Sequence, residues 1–150
     1  MNPQGNIQLL QLKHIGNMIY QNKSFCHIDE KFFKEHNCSE IWEDYLLINR
    51  LVASSMVCCL MPKTDVKTIT SVDVCWIAPD EKYNSKYLMY YLSSKDFQNK
   101  VLMLCSGSTR KRISKKNLVS IPLFVHDKKQ QDIIVNKIEN LFNLIEKVVG

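Results

Sequence analysis

The chain has 150 residues, of which 45% are hydrophobic and 23% are charged, as in globular domains and unlike disordered chains. A chain of this length buries enough apolar surface to fold as one domain without disulfides. The formal net charge of +5 is mildly basic and suggests a polyanionic partner, although the charge alone does not establish that partner.

No targeting or membrane segment is expected. The N-terminal stretch MNPQGNIQLL lacks a basic region followed by a long apolar one, so no secretory signal is predicted. The apolar runs are too short to span a membrane. The six cysteines include no Cys-x-x-Cys pair, and buried reduced thiols are typical of cytoplasmic proteins. The sequence therefore predicts a cytoplasmic protein that does not enter a membrane.

The first third of the chain predicts two extended segments and a short helix. Residues 7–15 alternate apolar and polar side chains, which predicts a half-buried strand. Gly16 and Asn17 predict a turn, after which MIYQNKSFCHI predicts a second extended segment. Asp29 is a candidate N-cap for a helix in DEKFFKEH, with Phe32 and Phe33 facing inward.

A β-rich block and two helices follow. Strands are predicted in DYLLINR, SSMVCCLM and TITSVDVCWIA, because these stretches are rich in β-branched, aromatic and apolar residues. Asn84 or Ser85 is expected to cap a helix in KYLMYYLSS, and Ser94 a helix in KDFQNKVLMLC. The stretch CSGSTRKRISKKN predicts a polar, basic loop. A last short strand is predicted in NLVSIPLF, near a sheet edge because of Pro122.

The segment from about Lys129 to Val149 has the clearest periodicity. Its apolar residues recur at steps of one, three and four, which predicts a helix with one apolar stripe. The spacing is nearly that of a heptad repeat, so the stripe suits a partner helix. Packing of the stripe on its own domain fits the periodicity equally well.

Catalytic motifs are missing from the sequence. It contains no Asn/Asp-Pro-Pro-aromatic motif of an adenine methyltransferase and no Gly-rich phosphate loop. Pro79-Asp80-Glu81-Lys82 is superficially similar to a nuclease motif, but four contiguous residues at a turn cannot gather acids from two strands around one metal. The sequence therefore predicts no catalytic residue and no cofactor.

A loose Cys/His group flanks the first predicted helix. It consists of Cys26, His27, His36 and Cys38. Their spacing is not a common zinc-ligand pattern, and two adjacent ligands strain tetrahedral geometry. The sequence therefore predicts no metal site.

The stretch from Arg110 to Lys116 holds five cations and no acid. Arg and Lys neutralise phosphates and release counterions, and Arg reaches guanine edges in the major groove. Just upstream, Ser106-Gly107-Ser108-Thr109 supplies hydroxyls and backbone amides that can bond phosphate oxygens. On these residues alone, DNA contact and a solvated charged loop both remain open.

An ordered set of motifs resembles the recognition domains of type I restriction–modification specificity subunits. GSTRKRISKKNLVSIPL followed by QQDIIVNKIENLF is similar to the end of such a domain. LLQLKHIGNMIY resembles its opening strand and turn, DYLLINR one of its strands, and KYLMYYLSSKDFQNKV its helix pair. The resemblance runs from about residue 7 to residue 145.

The resemblance implies an α+β fold with a mixed, twisted sheet and a C-terminal amphipathic helix able to form a coiled-coil pair. It divides the chain into a target-recognition domain, residues 1–126, and a segment of the conserved helix, residues 127–150. The usual opening before residue 7 and the second recognition domain are not seen. The chain is therefore expected to be a fragment, a half subunit or a shortened natural version.

The resemblance also implies the function and its residues. The domain would bind one half of a bipartite site on double-stranded DNA and would perform no chemistry. Methyltransferase and restriction subunits are the implied partners, with a homodimer through the last helix as a further state. The implied partner-helix residues are Ile134, Ile138, Leu141, Ile145 and Val148. The best candidates for DNA contact are Ser108, Thr109, Arg110, Lys111, Arg112, Lys115 and Lys116.

Three further candidates and two alternative functions remain open. Arg50 and Asn49 end a predicted strand, although Arg50 could instead pair with Asp44 or Glu43. Lys13 fits a phosphate contact and a solvated strand residue equally well.

One alternative function is the recognition region of a fused restriction–methylation enzyme. The other is a helical interaction protein that binds protein only, its basic loop being plain surface.

Overall fold

The computed structural model describes residues 5–150. Residues 1–4 lie outside the described part, and with them the start of the predicted recognition domain and of the stretch inspected for a secretory signal. Over residues 5–150 no helix is both long and apolar enough to cross a membrane.

The fold is α+β, as predicted. The strands are β1 (Ile7–Leu10), β2 (Cys26–Ile28), β3 (Leu46–Asn49), β4 (Leu51–Val52), β5 (Cys58–Leu60), β6 (Thr68–Thr70), β7 (Val74–Ile77) and β8 (Lys111–Arg112). The helices are α1 (Glu30–Glu35), α2 (Ser85–Ser93), α3 (Lys95–Leu104), α4 (Lys115–Ser120) and α5 (Lys128–Val149), and a short 3-10 helix spans Leu12–His14.

The strands form three small sheets. The first has the order β2-β1-β6 and is mixed, because β1 runs antiparallel to β2 and parallel to β6. The second, β5-β3-β7, is antiparallel throughout. The third consists of β4 and β8 alone. All eight strands within residues 5–150 have only two to four residues, so no one sheet extends far enough to join all of them.

The central strand β3 is buried on both faces. Leu46 and Ile48 pack into the main core beneath α2 and α3, whereas Leu47 packs with Leu10 in a core between the first two sheets. A strand covered on both sides has apolar residues at consecutive positions rather than at alternate ones. This accounts for the unbroken Leu-Leu-Ile run of the sequence.

The first strand is shorter than predicted. It ends at Leu10, because the His14 ring accepts a hydrogen bond from the Gln11 N–H (2.9 Å) and closes a 3-10 turn. His14 is fully buried, and its ring stacks on Phe25 with centroids 4.3 Å apart. The alternation of apolar and polar residues over 7–15 therefore covers a short strand followed by a 3-10 turn, and not one continuous strand.

Helix α1 is confirmed together with its cap. The Asp29 carboxylate accepts a hydrogen bond from the Phe32 N–H (2.8 Å). Phe33 packs against the small core formed by Ile7, Ile28 and Ile69. The prediction that Phe32 faces inward was wrong: its side chain is 42% exposed and stacks on His36.

The stretch 68–78 is two strands and not one. A turn closed by the Val74 N–H on the Ser71 oxygen (3.0 Å) separates β6 from β7. The two strands then enter different sheets, β6 beside β1 and β7 beside β3. Both strands are rich in β-branched and apolar residues, so local propensity alone does not reveal the break.

Helices α2 and α3 are confirmed. Asn84, and not Ser85, caps α2, since its side chain accepts hydrogen bonds from the Lys86 and Tyr87 N–H groups. Ser94 caps α3 in the same way through the Phe97 N–H.

The strand predicted in NLVSIPLF is instead helix α4 and an extended tail. Ser114 caps this helix by accepting from the Asn117 N–H (3.0 Å). The Asn117 amide donates to the Leu104 oxygen (2.9 Å) and ties α4 to the end of α3. The helix ends at Ser120, and Ile121 is extended, as expected for a residue that precedes proline.

The first half of α5 is fixed to the domain by one buried glutamine. Gln131 is 1% exposed. Its side-chain oxygen accepts from the Asn84 N–H (2.8 Å), and its side-chain nitrogen donates to the His126 oxygen (2.7 Å) and the Lys82 oxygen (3.3 Å). Beside it, Val135 is buried in the main core. The glutamine and Val135 together hold the first half of the helix on the domain.

A polar contact adjoins this anchor. The Asn84 amide donates to the Asp132 carboxylate (2.7 Å). This bond, followed by the one from Lys128, lowers the pKa of Asp132 below its ordinary value. Beyond residue 140 every residue of α5 is exposed.

Replacing Gln131 with Ala should loosen this attachment. The Asn84 N–H would lose its acceptor inside the protein, so we expect a loss of about 2–3 kcal/mol in the free energy of unfolding, measured by chemical denaturation. Gln130→Ala is the matched control, because Gln130 is the exposed neighbour of Gln131 on the same helix. Equal stability of the two variants would show that Gln131 does not anchor α5.

Candidate nucleic-acid interface

One stretch of the chain concentrates its positive charge. Residues 97–126 contain six Lys and Arg and no Asp or Glu. The remainder of the chain is nearly neutral, because it holds the other 14 of the 20 cations together with all 15 acids. A clustered charge of this kind, more than a modest net charge, is what attracts a polyanion.

The predicted basic loop folds as a β-hairpin. The backbones of Ser106 and Arg112 exchange two hydrogen bonds (3.0 and 2.9 Å). On its other side β8 pairs with β4, with Leu51 opposite Arg112 and Val52 opposite Lys111. We call residues 106–112 the basic hairpin. It is a structured element, where the composition of the sequence predicted only a polar loop.

Gly107 forms the turn of the basic hairpin. Its φ is +101°, a conformation that residues with a Cβ rarely adopt. A Cβ built at this position would lie 2.6 Å from the Arg110 oxygen. The tight turn therefore requires glycine.

A buried isoleucine attaches the basic hairpin to the domain. Ile113 follows β8 directly, is fully buried, and packs in the main core. Its N–H donates to the Arg50 oxygen (3.1 Å). The base of the basic hairpin is thus attached to the core directly beside its exposed cations.

Four of the predicted contacts share one groove. The groove has a volume of about 280 Å³ and is open to solvent. Residues 51–53 form one side of it, and Ser108, Thr109, Arg110 and Lys111 form the other. Ser54 and Ser55 follow, both exposed. The structure therefore places two hydroxyl and two basic residues of one segment against an apolar segment that is distant in sequence.

Lys115 and Lys116 lie on a neighbouring surface. They are the first two residues of α4, are exposed, and border a mostly apolar cavity of about 570 Å³. Cys75 also lines this cavity. Burial raises the pKa of the Cys75 thiol, and the charges of Arg50, Lys115 and Arg112 oppose that rise. The charges of Arg50, Lys115 and Arg112 thus all act on one thiol of β7.

The side chains of Arg50 and Asn49 are directed inward. Arg50 is 8% exposed, and its guanidinium donates to the Val72 oxygen. The suggested pairing of Arg50 with Asp44 or Glu43 was wrong. Arg50 pairs instead with Asp73, and Nη2 of the arginine lies 3.8 Å from Oδ1 of the aspartate. The Asn49 side chain accepts from the Leu51 N–H (2.8 Å) and shapes the bend between β3 and β4.

Lys13 is not part of the basic hairpin. It is exposed on the 3-10 helix after β1, in the part of the fold built on the first sheet.

Sequence reasoning missed Asp73. Its carboxylate lies 2.6 Å from the Arg112 guanidinium and touches the base of the basic hairpin. It also missed β8, whose two residues are Lys and Arg. The only local signal was Ile113, a single apolar residue within a run of cations, which marks where the chain returns to the core.

The Cys/His group does not assemble. Within residues 5–150 no three His, Cys, Asp or Glu side chains lie close enough together to hold a metal ion. Cys26 and His27 belong to β2, whereas His36 follows α1.

The comparison with protein families decides the assignment. Residues 51–148 match the model of the type I restriction modification DNA specificity domain. The chain belongs to this family. A search of the curated proteins finds no match.

The specificity-domain match covers the elements that build the interface. It begins at the first residue of β4 and ends one residue before the end of α5. It therefore includes both strands of the β4–β8 pair and almost all of the long helix. Specificity domains of this family are not the catalytic parts of type I systems.

Substituting Gly107 with Ala should open the turn of the basic hairpin. We expect a local cost of about 1–2 kcal/mol, seen as roughly tenfold faster hydrogen exchange at the Arg112 amide, which bonds to Ser106 across the turn. Ser108→Ala is the control, because Ser108 is an exposed neighbour in the same turn. Unchanged exchange in Gly107→Ala would mean that the turn does not depend on glycine.

Proposed function

We propose that the chain is the sequence-specific DNA-binding component of a type I restriction–modification system and binds one half of a bipartite site. The observation that carries this proposal is the basic hairpin, an acid-free element attached to the core in a chain of the specificity-domain family. In this role the chain performs no chemistry and needs no cofactor. It acts in the cytoplasm, where the DNA of a restriction system lies.

The groove beside the basic hairpin suits the sugar–phosphate backbone. Hydroxyls of Ser108 and Thr109 and the backbone amides near them are typical partners of phosphate oxygens. Arg110 and Lys111 add the charge that releases counterions from DNA. Arg110 lies at the tip of the basic hairpin, where an Arg can also reach base edges in the major groove.

Lys115 and Lys116 extend this surface along α4. They continue the run of exposed cations beyond Ile113, so a duplex lying on the basic hairpin meets them next. Lys13 lies on another part of the fold, and we assign it no contact. Arg50 and Asn49 hold the β3–β4 bend on which the basic hairpin rests, and we assign them this supporting role in place of direct contact.

Helix α5 is the proposed docking arm. The five partner-helix candidates follow alternating steps of four and three, the spacing of a heptad seam. The first two, Ile134 and Ile138, are partly covered by the domain, whereas the last three are exposed: Leu141 by 58%, Ile145 by 55% and Val148 by 86%. An exposed apolar seam of this kind suits a second helix.

The occupants proposed for this seam are the conserved helix of a second recognition domain and the methyltransferase subunit, to which the restriction subunit is then added. A homodimer would supply the second helix from another copy of the chain. We retain the division into a recognition domain, 1–126, and a helical segment, 127–150, whose first half rests on the domain.

Neutralising the basic hairpin should weaken DNA binding. In the triple variant Arg110→Ala, Lys111→Ala, Arg112→Ala we expect lower affinity for duplex DNA. The log–log salt slope should flatten by roughly two, since each lost phosphate contact removes about 0.9 and Arg112 is already paired with Asp73. Titrations over a range of salt concentrations measure both quantities.

The matched control removes three exposed cations elsewhere, Lys23, Lys34 and Lys63. It should change the salt slope much less. If both triple variants bound DNA like the parent, the interface would be misassigned. A parent chain with no salt-dependent DNA binding would favour the protein-only alternative.

Charging the seam of α5 should prevent docking. We expect Leu141→Asp with Ile145→Asp to abolish self-association and co-elution with the cognate methyltransferase subunit, because two carboxylates would be buried unpaired. Asn140→Asp with Asn143→Asp adds the same charge to the same exposed half of the helix, off the seam, and should leave both intact. Light scattering coupled to size-exclusion chromatography measures both self-association and co-elution. If the seam variant still formed these complexes, the docking role of α5 would be refuted.

A further inference from the structure

Asp73 occupies a fixed position at the base of the basic hairpin. It lies in the turn between β6 and β7, which the Val74 N–H closes on the Ser71 oxygen (3.0 Å). The Asp73 backbone oxygen accepts from the Arg50 N–H (3.0 Å) at the junction of β3 and β4. The residue is thus held by the same bend that supports β4.

The carboxylate of Asp73 lies between two arginines. Its Oδ1 atom is 2.6 Å from Nη2 of Arg112 and 3.8 Å from Nη2 of Arg50, and it is shielded from solvent. Arg50 is buried and also donates to the Val72 oxygen. Arg112 is different, because 46% of its side chain is exposed. Asp73 therefore pairs with a cation whose side chain is still partly exposed to solvent.

Arg112 differs in this respect from the cations around it. For Arg110, Lys111, Lys115 and Lys116 the structure of residues 5–150 has no ion pair. Arg112 alone in this group has a carboxylate within contact distance. The surface therefore presents four unpaired cations to a polyanion, whereas the fifth cation, Arg112, is already paired with Asp73.

We propose that Asp73 is a specificity-determining residue that limits binding to non-target DNA by neutralising Arg112. This inference rests on the proposed DNA-binding function. Affinity for any duplex rises with the number of phosphates neutralised, whatever the sequence. A recognition protein must also find its site among a vast excess of other sequences. Pairing Arg112 with Asp73 removes one sequence-independent contact, while the tip of the basic hairpin stays free to contact its site.

The test is the affinity for a pool of short random-sequence duplexes, measured with the full chain by fluorescence anisotropy between roughly 50 and 200 mM salt. Asp73→Asn keeps the shape of the side chain and removes its charge, which frees Arg112 for a phosphate. We expect the log–log salt slope to steepen by about 0.9. The gain in affinity over the parent should be about threefold larger at the lower salt concentration than at the higher one.

The controls separate this effect from the net charge. Asp65→Asn removes an exposed carboxylate from the loop between β5 and β6 and should leave the slope unchanged. Asp73→Asn combined with Arg112→Gln should return the slope to that of the parent. Thermal unfolding of each variant verifies that it is folded.

A second arm does not depend on changing Asp73. Because Arg112 is withheld from phosphates in the parent, Arg112→Gln should leave the slope unchanged, whereas Arg110→Gln should flatten it by about 0.9. An Asp73→Asn slope equal to that of the parent, or equal flattening by the two Arg variants, would overturn the inference while DNA binding itself stands. A parent chain that does not bind the duplex pool would overturn the proposed function as well.

Discussion

The pairing of β4 with β8 is the interaction on which the rest of the interface depends. It joins the end of the central strand β3 to a stretch that follows α3 in the chain, with Leu51 opposite Arg112. Ile113 secures the pair because it is fully buried and bonds to the Arg50 oxygen. Without this anchor the cations would lie on a mobile loop, and the proposed contacts with a duplex would carry a larger entropic cost. The core thereby determines where the charges lie.

Local chemistry decided which elements could be predicted. Asp29, Ser94 and Asn84 satisfy the first amides of their helices from within a few residues, so these helices could be read directly. The apolar periodicity of α5 was similarly clear. The last strand was mispredicted because Leu118, Val119 and Ile121 suggest a strand, whereas the Ser114 cap starts a helix there. Ser114 is a common type of cap residue, but the run of cations around it indicates a loop.

Contacts between residues that are distant in sequence account for the features that the sequence did not predict. Nothing near Asp73 indicates that Arg112 lies 2.6 Å away, because the two are brought together only when β4 and β8 pair. The inward direction of Arg50 was obscured for the same reason. The candidate contacts at the tip of the basic hairpin could be proposed because small, hydroxyl and basic residues adjoin in sequence. Predicting residues that support a site requires the fold, while residues that form its surface often leave a compositional trace.

The contacts of α5 leave only its last part as a free arm. Gln131 and Val135 hold the first half on the domain, and Lys86 pairs with Glu139 just before the helix becomes fully exposed. Beyond residue 140 the helix continues for nine residues to Val149, a distance of about 14 Å at the usual rise per residue. A tilt of about ten degrees over that length would move the far end by roughly 2 Å. A molecule bound to this short arm would therefore be held relative to the domain almost as firmly as one bound to the domain itself.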